Sequence, residues 1–152
     1  MRTAPPVHAS AFVYSGIGCL LTGEPGIGKS RVLAEALLHG AQMIADDRVL
    51  LHAKQGVLIA HAPPQLSGVL ELHGMGLISH PVCPIHPIHL WVTLDAAATE
   101  RLPEPEIRAH DGVSVPLLRL PAPPVLSVPS LLLYLRAMHE NRTLPTDWHP
   151  LG

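Results

Sequence analysis

The chain has 152 residues, 47% of them apolar and 14% charged, with a formal net charge of −2. This length suits one compact domain with a buried core, the near-neutral charge excludes a basic footprint for nucleic acid, and no apolar run reaches the about 20 residues of a membrane-spanning helix. Cys19 and Cys83 stand apart without metal-ligand spacing, which fits reduced thiols in a cytoplasmic protein.

The opening MRTAPPVHAS has no apolar stretch and so does not read as a secretory leader. AFVYSGIGCLLTG then predicts two short strands, Ala11–Tyr14 and Ile17–Thr22, parted by Ser15-Gly16. A helix is expected from Ser30 to His39, with Val32, Leu33, Ala36 and Leu37 on one face and Gly40 where a left-handed cap falls. QMIADD reads as a short strand ending in acids. RVLLHA and GVLIAH form a hairpin parted by Lys54-Gln55.

LSGVLELHGMGLI is a mixed segment around Gly74 and Gly76. The 11 histidines are scattered, and a histidine of this kind is usually a surface or satisfied core residue. His80, Cys83, His86 and His89 cluster in SHPVCPIHPIHL, where the prolines favour a loop entering a strand over a metal site. IHLWVTLD is the clearest buried strand of the second half. The 17 prolines favour short elements; between Pro103 and Pro129 they leave β pieces such as VSVPLLRL. A last helix is expected over Ser130–Asn141, and the tail after Arg142 is expected to be loose. No internal repeat or long linker divides residues 1–152, so a single domain is the reading.

GEPGIGKS fits the phosphate-loop pattern G-x-x-x-x-G-K-[ST], with Gly23, Glu24, Pro25, Gly26, Ile27, Gly28, Lys29 and Ser30 as candidate nucleotide-binding residues. The glycines let backbone N–H groups turn inward without obstructing side chains. Lys29 offers charge to the β and γ phosphates, Ser30 a hydroxyl to Mg²⁺, and the following helix its positive end. The strand before and the helix after are the context this motif needs. It implies ATP and Mg²⁺, and leaves open what is done with the phosphate.

Two acids follow apolar strands, Asp46 after QMIA and Asp95 after LWVTL. In an ordinary doubly wound nucleotide hydrolase a late-strand acid such as Asp95 holds the metal. A transfer to a hydroxyl also wants a carboxylate to accept the hydroxyl proton, and Asp46 could reach that place.

GIGCLLTGEPGIGKSRVLAEALLHGAQMIADDRVLL resembles the catalytic, C-terminal domain of bacterial HPr kinase/phosphorylase, and the resemblance runs from about Val7 to Met138. It implies a mixed α/β fold shared with phosphoenolpyruvate carboxykinase, an HPr-like phosphocarrier protein as substrate, a hexamer, and a cytoplasmic protein with neither nucleic-acid nor membrane partners. It also implies a short form, since the family's N-terminal regulatory domain has no counterpart. In the family the first acid of the Ala-Asp-Asp sequence is the acid/base, which carries to Asp46, with Asp47 beside it. VHASAFVY resembles a segment whose histidine lies near the phosphate, which carries to His8. APPQLSGVLELHGMGLI resembles a segment whose glutamate helps hold Mg²⁺ with the loop serine, which carries to Glu71 beside Ser30. ERLP resembles the family's Arg-Leu-Gly segment.

Three departures stand out. His73 replaces an arginine, Arg31 a glutamate, and Val128-Pro129-Ser130 the family's Gly-Arg-Asn. With two arginines missing, the expected reaction is kinase activity with little phosphate-dependent dephosphorylation. The sequence also admits a kinase of a small hydroxylated metabolite, or a nucleotide-sensing module without catalysis.

Overall fold

In the computed structural model, which describes residues 4–150, the chain runs through β1 (Val7–His8), β2 (Ser10–Tyr14), β3 (Ile17–Thr22), α1 (Lys29–Leu38), β4 (Gln42–Ala45), β5 (Arg48–Lys54) and β6 (Val57–His61). It continues through β7 (Val69–Leu72), β8 (Gly76–Ser79), β9 (His86–Pro87), β10 (Leu90–Leu94), β11 (Glu106–His110), β12 (Val113–Leu120) and α2 (Val128–His139). Six strands form a mixed sheet in the order β11-β12-β10-β3-β2-β4, and four form a second sheet in the order β1-β5-β6-β9. Among the described residues β7 and β8 pair only with each other.

Side chains alternate across a strand, and that alternation builds two cores. Phe12, Cys19, Leu21, Leu90, Val92 and Leu94 pack on one face of the six-stranded sheet, with the buried residues of α1 and α2. Val13, Leu20 and Trp91 point the other way, where Val49, Leu51, Leu58 and Ala60 of the second sheet meet them. The layers are helices, mixed sheet, antiparallel sheet. Because both faces of the central strands are covered, LLT and LWVTL read as unbroken apolar runs. Burial pushes the Cys19 thiol far up from its ordinary pKa, which leaves it a neutral core side chain.

β3 is parallel to β10, and β10 to β12, while β2 is antiparallel to both β3 and β4. Two antiparallel steps leave β4 running in the direction of β3. The carboxyl ends of β3 and β4 therefore emerge at the same rim, which fixes the place of the site.

Several elements differ from the sequence expectation in detail. The turn between β5 and β6 is Gln55-Gly56, with φ of 52° and 77°, not Lys54-Gln55. A two-residue hairpin turn with positive φ at both positions is the type I′ turn, whose second position glycine fills most easily. The last helix starts at Val128, because Ser127 caps it by accepting from Ser130 N–H at 3.3 Å, and Pro129 fits in the first turn, where no N–H is needed. The mixed segment around Gly74 and Gly76 is the β7–β8 hairpin, anchored by the buried Leu70. Residues 142–150 contain neither helix nor strand.

Candidate active site

At Gly23 and Gly28 the loop after β3 passes too close to its neighbours to hold a side chain. A Cβ on Gly28, which has φ of 121°, would lie 2.9 Å from Pro123 Cδ. A Cβ on Gly23 would lie 2.9 Å from Ile27 Cγ2 and 3.0 Å from Leu94 O. The loop is pinned at its start, where Trp91 Nε1 donates to Thr22 Oγ1 at 2.8 Å. Gly28 caps α1, whose first turn carries no acid, so the positive end of the helix faces the loop uncompensated. Lys29 Nζ donates to Gly23 O at 2.8 Å and to Glu24 O at 3.2 Å. The ammonium thus lies over the loop it follows.

Asp46, just past β4, meets this loop. Ser30 Oγ donates to Asp46 Oδ1 at 2.8 Å and lies 3.1 Å from Oδ2, while Ser10 Oγ donates to Oδ1 at 2.7 Å. Asp46 is 6% exposed and Ser10 has no exposed surface. Burying a carboxylate is costly unless hydrogen bonds replace water, and the two hydroxyls do this.

Asp47 diverges from its neighbour. It sits at φ of 66° in a three-residue turn closed by Arg48 N–H donating to Asp46 O at 2.8 Å. Its side chain is 71% exposed and lies 3.9 Å from Arg48 Nη1. Arg48 is the register partner of His8, and its Nη1 also contacts the His8 ring, 2.6 Å from Nε2. One acid turns inward to two serines and the other outward toward Arg48, which itself contacts His8.

These groups meet at a cleft of about 620 Å³, walled by His8, Ser10, Asp47, His73, Pro123 and the loop from Pro25 to Arg31, with the buried Asp46 joined to that wall through Ser10 and Ser30. The structure brings His8, Lys29, Ser30, Asp46 and Asp47 together. Glu71 is exposed on β7 outside the cleft wall. Asp95 lines a separate cleft of about 530 Å³ with Glu100, Glu104, Glu106 and Arg119, and its Oδ1 accepts from Ala97 N–H at 2.9 Å. Pro129 lies with Tyr14 and His39, beside the far end of α1, so it does not stand where a phosphate-binding arginine of this cleft would. Two residues escaped the sequence reading. Arg48 was hidden because its pairing with His8 depends on the second sheet, and Ser10 because its partner depends on strand register.

The family model for the HPr Serine kinase C-terminal domain matches residues 2–132. The chain belongs to this family. It is similar to the HPr kinase/phosphorylase of Clostridium novyi, 47% identical over 102 residues, which is 62% of this chain and 33% of that protein. It is also similar to the HPr kinase/phosphorylase of Clostridium acetobutylicum, 40% identical over 75 residues, 49% of this chain and 25% of that one. The matched stretch is thus only a quarter to a third of these relatives' length. Among solved structures, the Hpr(Ser) kinase/phosphatase from Coxiella burnetii matches with a TM-score of 0.78 at 26% identity, over 91% of this chain and 92% of that one. The mixed α/β fold is therefore that of the family. Among the described residues no helix is long and apolar enough to cross a membrane.

Proposed function

We propose that this chain transfers the γ-phosphoryl group of ATP to a serine of HPr or a related phosphocarrier protein, with Mg²⁺, in the cytoplasm. The observation that carries this reading is the joining of Ser30, first hydroxyl of α1, to the Asp46 carboxylate at 2.8 Å. A nucleotide-binding loop needs no buried acid at its serine unless the metal or an acceptor is handled there.

The glycine-rich cradle and the bare positive end of α1 suit a polyphosphate. Ser30 and Asp46 offer hard oxygen donors of the kind Mg²⁺ takes, and Glu71 lies outside that pair. Bound Mg²⁺ would neutralise charge on the phosphate oxygens. Lys29 is placed to leave its loop carbonyls for the phosphates. As the acceptor serine oxygen bonds to the γ-phosphorus, the bond from that phosphorus to the β-phosphate oxygen breaks and ADP leaves. The serine proton passes to Asp46. Oδ2 is the freer oxygen for it, since Oδ1 already receives both hydroxyls. Asp47, Arg48 and His8 border the path of the incoming acceptor.

Radiolabelled ATP offered with HPr and, separately, with a panel of small hydroxylated metabolites tests the reading. Label on HPr serine is the expected result. Label on a metabolite alone would replace the protein acceptor.

A further inference from the structure

We infer that Ser10 is a positioning residue for the transfer reaction, acting through Asp46; this rests on the kinase reading above. Ser10 borders the cleft but has no solvent-exposed surface, and its side chain is turned to Asp46. Its Oγ donates to Asp46 Oδ1 at 2.7 Å.

The register explains how the pair arises. Along β2 and β4, Val13 faces Gln42 and Phe12 faces Met43, but Ala11 faces Ala45. Ile44 is the extra residue of a β-bulge. The bulge sends both Ile44 and Ala45 to the core of the second sheet, while Met43 packs with the helices. An unbroken ladder would carry Asp46 to the face away from α1, because a one-residue shift reverses every side chain. The bulge returns Asp46 to the α1 face and brings it opposite Ser10.

Two hydroxyls hold Asp46, and their duties differ. Ser30 is the second residue of α1, directly after Lys29, and is the hydroxyl that would be offered to the metal. If the Ser30 hydroxyl were drawn away to bound Mg²⁺, Ser10 would still hold Asp46 through Oδ1. Among the described residues the Ser10 hydroxyl has no other partner. A conformational anchor of this kind alters turnover more than nucleotide binding, since a carboxylate displaced by about 1 Å costs on the order of a hundredfold in rate.

The test measures kcat and KM for Mg·ATP in Ser10→Ala, Ser10→Thr, Asp46→Asn and Ser10→Ala/Asp46→Asn, with thermal melts to confirm folding. Ser10→Ala should lose about tenfold to a hundredfold in kcat, with KM within about threefold of the parent chain. Ser10→Thr should restore most of kcat. In the Asp46→Asn background Ser10→Ala should cost nothing further, because residues acting as one unit are not additive. Unchanged kcat in Ser10→Ala, equal damage by Ala and Thr, or multiplying losses in the double variant would each overturn the inference. If the parent chain transfers nothing to any acceptor, the kinase reading fails instead. Crystal structures of the parent and Ser10→Ala then decide the positioning: a rotated Asp46 carboxylate upholds it, and an unmoved one overturns it.

Discussion

Ser30 Oγ and Asp46 Oδ1 are 2.8 Å apart, although 16 positions separate them in the chain. One short helix and one four-residue strand bring the chain back to the rim it left. The ten residues of α1 carry the chain roughly 15 Å along the sheet, and β4 returns it parallel to β3. An acid so close behind a phosphate loop in sequence is what this out-and-back path needs, provided β2 lies between the two strands.

Lys29 is the cation that follows the loop, and its ammonium rests on the carbonyls of Gly23 and Glu24. Replacing it with alanine leaves the backbone cradle but removes the charge that stabilises the transferring group. Lys29→Ala is expected to lower kcat by about 10²–10³, the usual worth of one such contact. Steady-state rates with Mg·ATP check this, and unchanged turnover would take the loop out of the mechanism.

Three aspartates compete for the central role, and their surroundings differ. Asp46 touches Ser30, Asp47 lines the cleft in the open, and Asp95 lines another cleft. Asp46→Asn should reduce transfer by about 10² or more, the contribution of a positioned base, while nucleotide affinity stays within about tenfold. Asp47→Asn should do less, and Asp95→Asn least. Single-turnover rates beside calorimetric binding of Mg·ADP separate the three. Greater damage from Asp95→Asn would restore the late-strand metal acid.

Attack by inorganic phosphate on phosphoserine gathers two multiply charged anions, so it calls for cations beyond Lys29. His73 stands on the cleft wall where the family resemblance has arginine, while Pro129 lies elsewhere. His73→Arg should therefore raise pyrophosphate release from serine-phosphorylated HPr, by roughly one to two decades if the new contact is worth the usual 1.5–3 kcal/mol in the transition state. Pro129→Arg should leave it unchanged. Arg31 on the cleft wall and Arg48 at His8 already bring positive charge to the cleft. Rapid release by the unaltered chain would mean that these two suffice.

His89 ties stability to pH. Its Nδ1 accepts from Gly18 N–H at 2.9 Å, on the strand that leads into the loop. Burial, and secondarily the charge of His86, lower its pKa below the usual histidine value. The folded chain then binds fewer protons here than the unfolded one, so stability falls as acid is added. The contribution is complete above about pH 6.5 and is lost as pH drops through the lowered folded value. Urea midpoints followed from about pH 7.5 to 5 should decline, and His89→Ala should flatten that part of the curve while lowering the plateau.

Much of this was legible because it depends on local chemistry. The strand, loop and helix from Ile17 to Leu38 follow from apolar runs, glycines and a helical face that are contiguous in sequence. The pairing of β2 with β3 is a hairpin across Ser15-Gly16, and its register is set by the turn. What sequence hid was relational. Nothing in QMIADD marks Ile44 as a bulge, so the approach of Ser10 to Asp46 could not be read. The β1–β5 pairing that joins His8 to Arg48 spans separated segments. Glu71 aligns with a metal-binding position by resemblance, yet it stands on the exposed side of a two-stranded hairpin, where a one-residue choice of register settles which way it faces.

The most direct test is mass-spectrometric detection of phosphoserine on HPr after incubation with ATP, Mg²⁺ and either the unaltered chain or Asp46→Asn. The account predicts one phosphoserine per HPr with the former, and on the same time scale almost none with the latter, although both bind Mg·ADP. HPr left unmodified by a chain that binds nucleotide, or modified equally well by Asp46→Asn, would contradict it.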